Sequence, residues 1–290
     1  MKKKLHLKKK YRVLLTILLA FASLILWSRY ISTSGLTIKE YKVSNKNIPK
    51  SFEGLKVVHF TDVHYSRTIN KKELTSFVNE VNALKPDLIF FTGDLIDKDI
   101  EITPPMQKEV TNILNKLNAS MGKYAVSGNH DLKFDEYDII IKDSGFINLN
   151  NAYDIIYSKD YETIYIAGLE SEIKGKPDIK SVTQYLDTSK EEVNTQVIPS
   201  YKILLLHTPD TLTKVSKYKF DLVLAGHSHN GQIRLPFVGT IFKPLGAKEY
   251  ADAYHRINDT ELFISGGLGT SNLNLRFFNK PSFNFYRLTK

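Results

Sequence analysis

The sequence predicts an α/β domain behind a single membrane-spanning helix, and three observations carry that reading. Five short apolar runs each stop at a small polar cluster, the pattern of strands buried on both faces whose loops form a functional rim. Segments of helical spacing lie between the first three runs, giving strand, helix, strand, helix, strand over Leu55 to Val126. At the amino terminus a basic block directly precedes an apolar run.

Met1 to Arg12 holds seven Lys or Arg and no acid, and the positive-inside rule makes residues 1–12 a cytoplasmic tail. Val13 to Trp27 is apolar; extending it to Ile31, with Trp27 and Tyr30 at the boundary, gives a transmembrane anchor over residues 13–31. The remaining chain is then expected outside the cytoplasm, held at the cell membrane. The alternative is a secreted protein released by cleavage at Ala20-Phe21-Ala22, but the apolar run continues past it through Leu24-Ile25-Leu26-Trp27, whereas cleavage sites follow the apolar core. Residues 32–50 read as a polar linker with a candidate first strand at Leu36 to Val43, and residues 51–290 as one folded domain.

Within that domain Leu55 to Phe60 is the first buried strand. Asn70-Lys71-Lys72-Glu73 resembles a capping box, and Leu74, Phe77, Val78, Val81 and Leu84 follow at helical spacing up to Pro86. Asp87 to Phe91 is the next strand. Pro104-Pro105 opens a second helix with Val110, Ile113, Leu114 and Leu117 inward. Lys123 to Val126, Lys202 to Leu206 and Asp221 to Ala225 complete the five runs. Tyr153 to Leu169 alternates like a hairpin, Glu170 to Ser200 reads as a loop with a short helix, and Glu261 to Ser265 and Phe283 to Leu288 read as later strands.

The formal charge is +9, and the seven cations of the first twelve residues leave about +2 for everything else. A nucleic-acid surface needs a basic stripe on the folded domain itself, so the basicity is mainly a topology signal. The chain has no cysteine, which excludes disulfides and thiolate ligands.

The polar clusters that end the five runs are Asp62-Val63-His64, Gly93-Asp94, Gly128-Asn129-His130-Asp131, His207 and Gly226-His227-Ser228-His229; they contain five of the eight histidines. Each alone reads as a turn or strand cap. A turn gives no reason for histidine to recur at strand ends beside carboxylates, and that combination is metal-ligand chemistry. Nitrogen and oxygen donors without sulfur suit Mn, Fe or Zn. Seven or eight donors exceed one ion's need; two ions sharing a carboxylate, roughly 3.5–4 Å apart, would use them all and suit phosphoryl transfer.

This ordered series resembles the calcineurin-like metallophosphoesterase superfamily. Flanking text, such as Phe60-Thr61-Asp62-Val63-His64 and Gly266-Gly267-Leu268-Gly269-Thr270-Ser271, is similar to its bacterial membrane-anchored or exported phosphodiesterase branch of the YkuE and YaeI type. The resemblance implies two mixed sheets packed as a sandwich with helices outside and the metals at one sheet edge. It implies that Asp62, His64 and His229 hold one divalent ion, that Asn129, His207 and His227 hold the other, and that Asp94 bridges them. A metal-bridging hydroxide would attack phosphorus; a protonated His130, oriented by Asp131, would stabilise charge or protonate the leaving group. The implied partner is a phosphoester substrate, a phosphodiester of the cell envelope or a lipid-linked one. Phosphomonoester or nucleic-acid hydrolysis, or an inactive anchored scaffold, are the alternatives. Arg276 resembles the family's C-terminal-loop arginine that would meet phosphate, with an ordinary surface arginine as the alternative, whereas His59 reads as a core or supporting residue.

Overall fold

The computed structural model describes residues 8–186 and 199–290. Part of the basic tail (1–7) and part of the Glu170 to Ser200 stretch (187–198) therefore lie outside the described residues. Helix α1 (Lys9–Leu26) continues through a π-helical turn over Trp27–Ile31. Together they make a 23-residue helix, long and apolar enough to cross a membrane by length and composition. Its large apolar side chains are exposed along nearly the whole length.

The elements that follow are β1 (Thr37–Ser44), β2 (Lys56–Phe60), α2 (Lys71–Leu84), β3 (Leu88–Phe91), α3 (Pro104–Leu114), β4 (Gly122–Ala125), α4 (Glu136–Asp143) and β5 (Ile147–Asn148). After them come β6 (Ala152–Tyr157), β7 (Thr163–Gly168), α5 (Ile179–Thr183), β8 (Tyr201–Leu205), α6 (Leu212–Val215) and β9 (Leu222–Ala225). The chain closes with β10 (Arg234–Leu235), β11 (Gly239–Thr240), β12 (Tyr254–Ile257), β13 (Thr260–Ile264) and β14 (Ser282–Thr289).

Among the described residues two six-stranded mixed sheets result, ordered β1-β14-β2-β3-β4-β5 and β12-β13-β9-β8-β7-β6, with β10 and β11 paired separately. Strand side chains alternate between faces, so neighbouring residues serve different cores. Val57, Leu88 and Phe90 of the first sheet face Ile203, Leu222 and Leu224 of the second, forming a core between the sheets. Val58, Ile89 and Phe91 point the other way, onto Leu74, Phe77 and Val81 of α2 and Val110 of α3. Leu204 and Val223 likewise meet Val182 of α5 and Leu212 of α6. The order of layers is helix, sheet, sheet, helix, an α/β sandwich.

Local signals held where they were physical. Asn70 and Glu73 form a reciprocal capping box at α2, and Thr103 with Pro104 starts α3. The polar segment after the anchor supplies β1, which pairs in parallel with β14 from Thr37 opposite Ser282 to Ser44 opposite Thr289. Helix α4 had no helical signature in the sequence. Its Ile139-Ile140-Ile141 run favours strand by propensity, and burial of Tyr137, Ile140 and Ile141 against the α2 and α3 core decides for helix.

Candidate metal centre

The five clusters do not share one sheet. β2, β3 and β4 of the first sheet deliver Asp62, His64, Asp94, Asn129, His130 and Asp131, while β8 and β9 of the second deliver His207, His227 and His229. They meet where the carboxyl edges of the two sheets come together. The backbone there is unusual: Asp62, His64, Asp94, His227 and His229 have φ of 50°, 45°, 60°, 65° and 50°. Non-glycine residues rarely adopt this left-handed region, and such strain collects at functional sites. Close approach explains the glycines between them. A Cβ on Gly93 would lie 2.1 Å from the Gly128 nitrogen, and one on Gly128 would lie 2.2 Å from Asp94 Oδ1.

The carboxylates of Asp62 and Asp94 and the rings of His207 and His227 are held from behind and open in front. Asp62 Oδ2 accepts from the Thr61 hydroxyl (2.8 Å) and the His227 N–H (2.9 Å), leaving Oδ1 without a hydrogen-bond partner among the described residues. Asp94 Oδ1 accepts from the His130 N–H (2.8 Å), so Oδ2 faces His207 Nε2 at 3.3 Å and His64 Nε2 at 3.8 Å. His207 Nδ1 donates to the Thr92 carbonyl (2.7 Å) and His227 Nε2 to the Leu245 carbonyl (2.7 Å). That leaves the other ring nitrogen of each available, and His207 Nε2 is buried without a partner among the described residues, as is Asn129 Oδ1. His229 Nε2 lies 3.3 Å from Asp62 Oδ1 and 3.2 Å from His64 Nε2.

Donors bonded at about 2.1 Å to one ion stand roughly 3.0–3.4 Å apart; His229 Nε2 meets this with Asp62 and His64, and His207 Nε2 with Asp94, while His64 Nε2 and Asp62 Oδ1 stand slightly wider at 3.7 Å. Asp62, His64 and His229 form one group able to hold an ion, and Asp94, His207 and His227 another. Buried carboxylates and imidazoles left unpaired would be costly; a cation satisfies them, so the residues present fit divalent metal.

The electrostatics agree with neutral imidazole donors beside ionised acids. Burial resists ionisation of Asp62, yet His229, His64 and His207 hold its carboxyl well below the usual carboxylate range. Burial holds His229 down to about 3 against the pull of Asp62. His64 and His207 are the exceptions: burial works against their charge, but Asp62 with Asp94 raises His64 and Asp94 pushes His207 up to about 9. Protons on such groups are displaced by a metal cation.

Three expectations need correction. Asp131 does not orient His130: its Oδ2 accepts from the N–H groups of Asp94 (2.6 Å) and Gly128 (2.8 Å) and its Oδ1 from that of Leu95 (2.8 Å), stapling the β3 and β4 loops together. His130 is instead fixed by the Lys98 N–H, which donates to Nδ1 at 3.1 Å. With Nδ1 an acceptor the proton sits on Nε2, and burial, against Asp94, lowers the ring to about 4, so His130 is a neutral donor rather than an imidazolium. Arg276 is fully buried and gives Nη2 to the carbonyls of Gly266 (2.8 Å), Gly267 (3.0 Å) and Gly269 (2.5 Å). It cannot also grip phosphate; it braces the loop against His229, whose Nδ1 is 3.5 Å away.

Sequence reasoning missed Asp97. Its Oδ2 lies 3.5 Å from His64 Nδ1 and is itself held by Arg67 at 3.2 Å, the carboxylate-behind-histidine arrangement common in metal sites. The apolar pair Leu95-Ile96 directly before it was the one signal the sequence offered. His59 sits in the sheet core and bonds Thr92 Oγ1 at 2.8 Å, one residue behind His207. A cavity of about 430 Å³ opens over the centre, lined by polar residues including Asp94, Asn129 and His130 and by the apolar Ile233, Phe242 and Leu273.

This fold and site define a class of metal-dependent phosphoester hydrolases. Residues 55–231 match the family model "Calcineurin-like phosphoesterase", and the chain belongs to that family. It is 33% identical over 265 residues to "Uncharacterized metallophosphoesterase YkuE" of Bacillus subtilis (strain 168), covering 90% of this chain and 88% of that one. To "Phosphodiesterase YaeI" of Escherichia coli (strain K12) it is 26% identical over 220 residues, covering 74% and 75%. A further Bacillus subtilis relative, "Uncharacterized metallophosphoesterase YkoQ", is 25% identical over 94% of this chain and 99% of its own.

Proposed function

We propose that this chain is a binuclear phosphodiesterase working at the outer face of the cell membrane on an envelope or lipid-linked substrate. Asp62, His64 and His229 would hold one divalent ion, Asn129, His207 and His227 the other, and Asp94 would serve both. The observation that carries this reading is the set of buried donors, Asp62 Oδ1, Asn129 Oδ1 and His207 Nε2, left unpartnered among the described residues around Asp94. The donor set suits Mn, Fe or Zn. When bound, such a pair supplies Lewis acidity toward phosphoryl oxygens and a water acidic enough to attack phosphorus.

The protein's own part is positioning. The Thr92 and Leu245 carbonyls fix the rings of His207 and His227, Asp97 stands 3.5 Å behind His64, Asp131 fixes the loops, and His130 Nε2–H lies beside Asp94 Oδ2 at 3.8 Å, placed to donate to a substrate oxygen. The phosphodiesterase relative and the apolar lining of the cavity support a diester whose second substituent packs on Ile233, Phe242 and Leu273. The apolar helix and the basic residues before it support an anchored protein with its domain outside.

The test uses full-length protein in detergent, loaded separately with Mn²⁺, Fe²⁺ or Zn²⁺ and given an activated phosphodiester and the matching monoester. Faster diester turnover, abolished in Asp94→Asn, is expected. Predominant monoester turnover overturns the bond preference, and undiminished Asp94→Asn activity overturns the bridging role. A reporter fused after Lys290 that works only in the cytoplasm should be inactive; an active one reverses the topology.

A further inference from the structure

Folded domains cover most of their large apolar side chains, and isolated exceptions are ordinary. The segment from Leu235 to Leu245 is not an isolated exception: Leu235, Phe237, Val238, Ile241, Phe242 and Leu245 are all exposed, Phe237 completely. The backbone holds them outward. Phe237 sits in the turn between β10 and β11 with φ of 66°, and the Val238 N–H closes that turn onto the Leu235 carbonyl at 3.2 Å. Arg234, at the base, is tied to Asp252 at 2.7 Å and to Thr240 Oγ1 at 2.8 Å. An apolar surface held in place in this way marks a binding surface.

Its position says what covers it. The Arg234 N–H donates to the Phe277 carbonyl (2.9 Å) and the Phe277 N–H to that of Gln232 (3.1 Å). The Phe277 ring in turn meets Trp27 edge-on at 5.7 Å, and the Arg276 N–H donates to the Ser28 carbonyl at 3.0 Å. The hairpin is thus rooted on the residue that receives the end of the apolar helix. Chemistry agrees: exposed Phe278 lies against Trp27, and Lys248 Nζ sits 5.8 Å over the Phe242 ring. Aromatic rings with lysines beside them suit the boundary between acyl chains and headgroups. Phe242 also belongs to the apolar lining of the cavity above the metal centre, so the same surface runs from the helix to the mouth of the site.

We propose that the Leu235–Leu245 segment, with Phe278, rests in the headgroup region of the bilayer that the N-terminal helix crosses, and that it seats the metal centre against amphiphilic phosphoesters resident in that bilayer. The docking rests on the membrane reading given above, and the substrate class on the hydrolase reading.

The chain has no cysteine, so a single one can be labelled cleanly. Full-length Phe237→Cys and Tyr161→Cys, each carrying a polarity-sensitive fluorophore, are reconstituted into phosphatidylcholine–phosphatidylglycerol vesicles containing spin-labelled lipid. Tyr161 lies before β7, at the strand ends opposite the metal centre. Several-fold stronger quenching at position 237 than at 161 is expected, and equal quenching overturns the docking. Energy transfer between labels at 237 without lipid quenching assigns the patch to a second copy and also overturns it. In the hydrolysis arm, a Phe237→Asp, Val238→Asp double variant should lose about tenfold or more in turnover of a lipid phosphodiester in vesicles and keep its turnover of a soluble activated diester. An undiminished vesicle rate overturns the seating. Differential quenching with no hydrolysis of either substrate supports the docking and overturns the hydrolase reading and, with it, the substrate class.

Discussion

His130 illustrates how much a single backbone hydrogen bond decides. Because the Lys98 N–H occupies Nδ1, the ring presents a fixed Nε2–H toward the cavity and does not need a second carboxylate behind it. His130→Ala should lower turnover by about 10²–10⁴-fold with metal content unchanged, as measured by steady-state rates and elemental analysis of the same sample. Loss of metal with the rate would make His130 a ligand, a role its distance from Asp94 and His64 leaves geometrically open. At this scale the site was largely legible: residue type, strand-end position and repetition brought every donor into one group. Partners were not legible. Asp131 bonds N–H groups of a loop more than thirty positions earlier, Arg276 spends its donors on carbonyls, and Asp97 looked like one more loop acid. Such pairings depend on which loops face each other, which no local pattern records.

At the scale of elements, strands ending in polar clusters and capped helices could be read directly, because burial on two faces and unsatisfied N–H groups leave sequence signatures. What escaped was an element stabilised from outside itself, α4 by its packing, whereas β1, read as a candidate strand at Leu36 to Val43, forms over Thr37–Ser44 in a long parallel register with β14. β1 also carries a titratable element of stability. Burial, with Arg276 and Arg234 nearby, pushes the Lys39 ammonium down to about 8 from 10.5. The unfolded chain then binds the proton more tightly, so stability rises with pH between about 8 and 10.5, and below 8 the charged lysine weakens the fold throughout. Lys39→Met, which keeps an apolar stem, should melt above the parent protein at pH 7. The gap should close as pH climbs through that window; thermal unfolding that shows a pH-independent gap contradicts the assignment.

Across the whole molecule, function depends on two sheets meeting at their carboxyl edges. Neither sheet holds enough donors: the first supplies Asp62, His64, Asp94 and Asn129, the second His207, His227 and His229. The sequence suggested a common rim without showing that it is split between sheets, since the side-by-side packing of the two layers rests on alternate residues such as Val57 and Leu222 whose contacts are long-range. This split makes the centre a report on the native packing of both layers. The most direct measurement is anomalous diffraction from crystals of the full-length protein grown with Mn²⁺. The account predicts two peaks flanking Asp94, one among Asp62, His64 and His229 and the other among Asn129, His207 and His227. Absence of any peak at this junction, or a single peak touching neither group, would contradict it.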